Sequence, residues 1–229
     1  MDMDQKIEKY QNLSKLFQQH GFQLLLVGGT VRDYLLKREL TDMDAVTDAT
    51  PEDMKNFLID ADFTFMKFGS IKYHFLGLKF DITTLREENG YFDSRHPEKI
   101  RFVKDLSVDV KRRDFTINGL YLNDKIEVID FVGGTLDLNN HLLRCIGDPD
   151  IRIKEDPLRI IRALRFMIDF NLSLDESLKT AINDNILLLN KINPLKIKED
   201  IKKIKCQNKD KIKDIFDNFH ITHLLDVVE

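Results

Sequence analysis

Cysteine is scarce in this chain. Cys145 and Cys206 are the only two, each isolated, and they form no metal-binding or redox motif. That usage fits a reducing, cytoplasmic compartment. No apolar run approaches the ~20 residues that span a bilayer. Residues 1–10 are charged where a secretory signal needs an apolar segment. No membrane partner is therefore expected. An excess of basic charge is missing as well. Lysine and arginine number 35 against 39 acidic residues, a net charge of −4. This excludes a broadly basic nucleic-acid binder but leaves room for a local basic surface. Two common nucleotide-binding signatures are absent too: no G-K-[ST] closes a glycine-rich loop, and G-x-G-x-x-G does not occur. After Arg165 the chain contains no arginine.

What the chain does have is a core and a change of pattern. Hydrophobic residues fill 42% of 229 positions, enough for one compact domain or two small ones. Ile7, Leu13, Leu16 and Phe17 recur at helical spacing, with Gly21 as a stop. Residues 22–27 read as a buried strand, 31–37 as helix and 43–46 as a second strand. Thr50-Pro51-Glu52-Asp53 reads as a helix start, with threonine as the cap and proline first. Residues 63–68, 72–78 and 79–85 read as strands, 86–97 as a loop and 126–131 as a further strand. This mixture predicts an α+β domain with a mixed sheet over residues 1–145. After Asp148-Pro149 only helical spacing remains, as in Leu158, Ile161, Leu164 and Ile168. Residues 146–229 are expected to form a second, helical domain.

Residues 24–44 hold most of the chemistry, in the order L-L-L-V-G-G-T-V-R-D-Y-L-L-K-R-E-L-T-D-M-D. An apolar run ends at Gly28-Gly29, where glycine lets the backbone approach phosphate and take positive φ. A helix opening at Val31 would turn its amides toward an anion. Arg32 can add a bidentate phosphate contact. Asp42 and Asp44, two apart on a strand, would present carboxylates side by side, a hard-oxygen pair suited to Mg²⁺. Asp81 completes a triad if its strand lies beside theirs. Each piece alone is commonplace: D-x-D occurs in solvated turns, paired glycines relieve sterics, and aspartates end strands. Their ordered combination points to a nucleoside triphosphate and a divalent metal. Arg112 and Arg113, before an apolar helix start, can serve ribose and phosphate or pair with Asp109. Farther on, Pro157 opens a helix near Asp156. Asp156 and Arg159 then share a face, with Arg162 and Arg165 continuing the row. A carboxylate beside a guanidinium can read the Watson–Crick edge of a base; the same spacing also makes an ordinary ion pair.

The segments GGTVRDYLLKRELTDMD, DITTLRE, KRRDFTING, DFVGG and EDPLRIIRALRF follow one another in this order. Together they resemble the class II tRNA nucleotidyltransferase and bacterial poly(A) polymerase family, and its CCA-adding members most. The likeness runs from about residue 24 to 170, and more weakly to about 225. It implies a polymerase-beta-like nucleotidyltransferase head followed by an all-α neck and a shortened body. It implies that Asp42 and Asp44 ligate Mg²⁺, with Asp81 as the third catalytic carboxylate. Gly28, Gly29, Arg32 and Arg113 would bind the nucleotide. Asp156 and Arg159 would form an amino-acid template selecting CTP and then ATP, supported by Arg162 and Arg165. Asp130 and Gly134 resemble the hinge between head and neck. Residues 86–97 correspond to a flexible loop that assists the switch to ATP, intact here apart from His96, where arginine is usual. The implied partners are CTP, ATP and a tRNA 3′ end, with lysines such as Lys196, Lys198 and Lys202 as a phosphate footing. An A-adding or poly(A)-forming enzyme is one alternative. A non-catalytic RNA- or nucleotide-binding remnant is another.

Overall fold

The computed structural model describes residues 1–91 and 97–225. The chain divides into two compact units, the first comprising residues 1–90 and 97–135 and the second the chain from 136 onward. The sequence pattern puts its change later, at 145.

The first unit opens with α1 (Met3–Gln19), closed at its start by a capping box between Asp2 and Gln5. There follow β1 (Leu24–Val27), α2 (Gly29–Leu35), β2 (Met43–Thr47), α3 (Pro51–Lys55), β3 (Ser70–Phe75) and β4 (Leu78–Thr84). Then come β5 (Arg86–Tyr91), β6 (Pro97–Phe102), α4 (Leu106–Asp109), β7 (Leu120–Leu122) and β8 (Val128–Asp130). Six strands form one sheet in the order β3-β4-β2-β1-β7-β8. Only β2 and β4 run parallel; the other neighbours are antiparallel, so the sheet is mixed. One face packs on α1. Tyr10, Leu13 and Phe17 there are fully buried against Leu24, Leu26, Met43, Ala45, Phe80 and Ile82. The intervening residues, Asp44 and Asp81 among them, project from the other face. The Tyr10 hydroxyl is shared between the carbonyls of Leu24 (3.0 Å) and Leu122 (2.9 Å).

Several expectations need correction. Residues 63–68 are no strand: Asp62 turns the chain by accepting from Thr64, and Met66–Phe68 is a 3₁₀ turn ending at Gly69, φ +77°. The next strand starts earlier than expected, at Ser70, and a tight turn at Leu76-Gly77, both at positive φ, joins it to β4. Of the segment read as a loop, residues 86–91 and 97 are strand, since β5 and β6 pair in a ribbon of two strands. Few apolar residues mark it: Arg101 of β6 pairs across the ribbon with Glu87 of β5 (2.8 Å), and within β5 Arg86 pairs with Glu88 (2.7 Å). Residues 92–96, His96 included, lie outside the described residues. No regular helix follows Arg113; Thr116–Asn118 forms a 3₁₀ turn leading into β7.

A short helix, α5 (Gly134–Asn139), runs across the division. The second unit contains β9 (Leu142–Leu143), α6 (Pro149–Glu155), α7 (Leu158–Phe170), β10 (Ser173–Leu174), α8 (Glu176–Asn185), α9 (Pro194–Ile201) and α10 (Lys209–Asn218). It is not wholly helical, because β9 and β10 pair in parallel. Asp148 caps α6 ahead of Pro149, and Leu158, Ile161, Leu164 and Ile168 of α7 are buried as their spacing requires.

Candidate active site

Register brings the carboxylates together. In the parallel pair β2–β4, Asp44 stands directly opposite Asp81. Asp42 lies one residue ahead of β2 rather than within it, and it is exposed. Thr30 fixes this segment. Its hydroxyl donates to the Asp42 carbonyl (3.1 Å) and accepts from the Asp44 amide (2.9 Å). Burial and the like charges of Asp42 and Asp81 push the Asp44 carboxyl up to about 6. Asp81 is held by Lys79 at 3.6 Å through one oxygen, while Oδ1 is buried with no hydrogen-bond partner among the described residues. Repelling carboxylates and an orphaned acceptor suit a divalent cation. Among the described residues no three acidic, histidine or cysteine side chains already converge as a metal cage. A hard cation that keeps waters and substrate phosphates in its shell does not require one.

The glycine turn lies between β1 and α2. Gly28 has φ +65°, a conformation that L side chains rarely adopt, and its amide donates to the Leu120 carbonyl. Here α2 begins at Gly29, two residues before the Val31 expected, and is only seven residues long. Arg32 is buried within it. Its Nη1 donates to Asn118 Oδ1 (2.6 Å), Asn118 is held by Asp114, and Nε donates to Asp33 (3.0 Å). Burial lowers Arg32 from its ordinary value and Asp33 opposes that shift. A Cβ added at Gly28 would stand 3.7 Å from Arg113 Nη1, so Arg113 borders the turn. Both Arg32 and Arg113 act electrostatically on Asp44. Three carboxylates, two guanidiniums and a glycine turn thus share one region of the first unit. Thr30, Asn118 and Asp109 support them; Asp109 pairs with Arg112 and Arg113, as one reading of the sequence expects, while sequence reading gives Thr30 and Asn118 no part. Thr30 and Asn118 occur inside GGTVRD and RRDFTING, yet nothing in their type says which backbone groups they bind.

The second unit holds the other candidates, and here the expectation changes. The helix does not open at Asp156. That residue ends α6 in an extended conformation, and its carboxylate accepts from the Leu158 amide (3.1 Å), ahead of α7. Arg159 is buried, and its Nη1 reaches the Arg152 carbonyl and Glu155 Oε2. Its Nε and Nη2 make no hydrogen bond among the described residues. Asp156 therefore stands at the junction of two helices, while Arg159, Arg162 and Arg165 follow one another along α7. Arg162 is half-buried, and Arg165 lies over the Phe166 ring at 4.8 Å. Asp130 closes a turn by accepting from the amides of Val132, Gly134 and Thr135.

A family model described as the poly A polymerase head domain matches residues 24–144, just over half of the chain. The chain belongs to the poly A polymerase head-domain family. Nucleotidyltransferases of this family generally use divalent metal ions, in keeping with the carboxylates on β2 and β4. A relative from Lactobacillus helveticus, named CCA-adding enzyme, is 41% identical over 184 residues, covering 80% of this chain and 46% of its own length. The chain spans about half the length of the curated relatives it matches. Among solved structures it is similar to the Bacillus stearothermophilus CCA-adding enzyme in complex with CTP. The TM-score is 0.85 at 27% identity, over 94% of this chain and 52% of that one. The Thermotoga maritima CCA-adding enzyme complexed with tRNA_CCA gives 0.76 at 25% identity, over 98% of this chain and 55% of that one. The mixed sheet of this poly A polymerase head-domain protein therefore has the nucleotidyltransferase head fold of those enzymes. No helix among the described residues is long and apolar enough to cross a membrane.

Proposed function

We propose that this chain is the head, residues 1–145, and the helical neck of a cytoplasmic, template-independent tRNA nucleotidyltransferase. It adds C and A to tRNA 3′ ends from CTP and ATP. The observation that carries this reading is the register of Asp44 against Asp81, with Asp42 adjoining and Arg113 bordering the glycine turn. In the reaction the terminal ribose hydroxyl attacks the α-phosphorus. A new P–O bond forms, the bond to the β-phosphate oxygen breaks, pyrophosphate leaves and the hydroxyl proton passes to solvent. Asp42 and Asp44 would hold Mg²⁺, with Asp81 as the third carboxylate. When bound, Mg²⁺ supplies charge neutralisation for the attacking and leaving oxygens. The Gly28-Gly29 backbone lets the triphosphate approach closely, and Arg32 and Arg113 take its negative charge. Asp156 and Arg159 choose the base, with Arg162 and Arg165 in support. The Nε and Nη2 donors left on Arg159 favour this role.

A tRNA extension assay tests the reading nucleotide by nucleotide. Substrates ending at the discriminator base, in C and in CC are each offered CTP or ATP alone. C should be added to the first two and A to the third. A-addition to the CC end alone would replace this reading with an A-adding enzyme. Tight tRNA binding without any incorporation would replace it with a binding protein. Asp42→Ala and Asp44→Ala should each abolish incorporation while melting stays cooperative.

A further inference from the structure

Asp109 has no part in the reaction as described, yet its side chain is wholly buried and its two oxygens divide the surroundings. Oδ2 accepts from Arg113 Nη2 (2.8 Å) and Nε (3.1 Å), and from the Tyr121 hydroxyl (2.9 Å). Oδ1 accepts from Arg112 Nε (2.7 Å) and from the Arg86 backbone amide (3.1 Å). Arg112 is fixed in turn by Glu88 (3.3 Å). The Tyr121 ring lies beneath the Arg113 guanidinium at 5.3 Å. We propose that Asp109, with Tyr121, is a positioning residue that presets Arg113 for the nucleotide.

The geometry gives three reasons. Asp109 binds Arg113 through Nε and Nη2, and Nη1 is the guanidinium nitrogen nearest Gly28 in the glycine turn. A guanidinium gripped along one edge and over one face has lost its rotamer freedom before any ligand arrives, so that entropy is not lost on binding. The bonds to Oδ1 stop the carboxylate itself from turning. Its charge is secure as well. Burial alone would raise Asp109, but Arg113 and Arg112 outweigh it and hold the group down at about 2.

The proposal rests on the nucleotidyltransferase reading, and steady-state kinetics of the full chain separates the two. In Asp109→Asn, KM for CTP and for ATP should rise about tenfold or more, with kcat falling less, as expected when a charge-assisted hydrogen bond to a binding group is lost. Tyr121→Phe keeps the ring and removes the hydroxyl; KM should rise about threefold, with melting little changed. In an Arg113→Ala background neither change should add to KM, because the residue they position is gone. Should Asp109→Asn fail to fold, Tyr121→Phe alone and in the Arg113→Ala background decides. An active wild type whose KM is unmoved by these changes, or is moved equally without Arg113, would overturn the positioning role and leave the function standing. A wild type that incorporates nothing would overturn both.

Discussion

Ionised Asp44 works against folding. Its folded value of about 6 lies above the ordinary 3.8, so the fold disfavours the charged form. The cost is complete above pH 6 and is relieved as pH falls toward 3.8. Asp44→Asn should therefore melt a few degrees higher than wild type at pH 8 without metal, and the gap should close near pH 4. Added Mg²⁺ should raise the melting temperature of wild type and leave the variant nearly unmoved. A metal-free variant that melts lower would contradict this account. Asp109 has the opposite sign. Its value is depressed to about 2, so it contributes stability above pH 3.8 that disappears as pH falls through 2. From that shift the contribution is about 2 kcal/mol. Asp109→Asn also leaves two half-buried guanidiniums without their shared carboxylate, so the loss at pH 7 should reach about 3 kcal/mol. Urea titrations of both proteins should converge between pH 4 and 2; a constant difference across that range would refute the electrostatic explanation.

At the scale of elements, caps and turns were the legible part. Thr50 and Asp53 form the capping box that their order announces, and Asp148-Pro149 starts α6 where expected. The buried stripes of α7 and the strands carrying Asp44 and Asp81 could also be read, because core packing enforces their periods. Other elements could not. The aromatic run Phe63-Thr64-Phe65 resembles a strand in composition, but a side-chain turn at Asp62 and positive φ at Gly69 decide its shape. The β5–β6 ribbon carries charged residues, Glu87 facing Arg101 across it and Arg86 beside Glu88 on β5, where hydrophobic alternation would mark a strand. Asp156 and Arg159 are three apart, but helical spacing does not apply where α6 ends and α7 has not begun. Gly134 shows how closely such elements meet. A Cβ there would lie 2.1 Å from the Thr116 carbonyl oxygen. Gly134→Ala should therefore cost about 2 kcal/mol or more by forcing the backbone apart. A thermal melt within a degree of wild type would show that the turn yields instead.

At the scale of the whole molecule, a net charge of −4 would limit how RNA is held under the proposed function. Part of the lysine-rich surface is already paired, Lys196 with Glu199 (3.3 Å) and Lys203 with Asp200 (2.7 Å). The affinity for tRNA should therefore fall gently with salt, with a log–log slope of about −2 to −4. Filter binding across a salt series measures it, and a slope near −8 would indicate a far larger phosphate footing than these residues supply. The sheet makes a different demand. Strand side chains alternate with a period of two, so a slip of β2 by one residue would turn Asp44 toward α1, among Tyr10 and Phe17. An unpaired carboxylate there costs several kcal/mol. Met43, Ala45, Phe80 and Ile82 never meet the nucleotide, yet their apolarity forbids that slip. They act as proofreaders of the carboxylate pair, and a polar substitution among them could silence the chemistry from the opposite side of the sheet while every acidic residue stayed in the sequence.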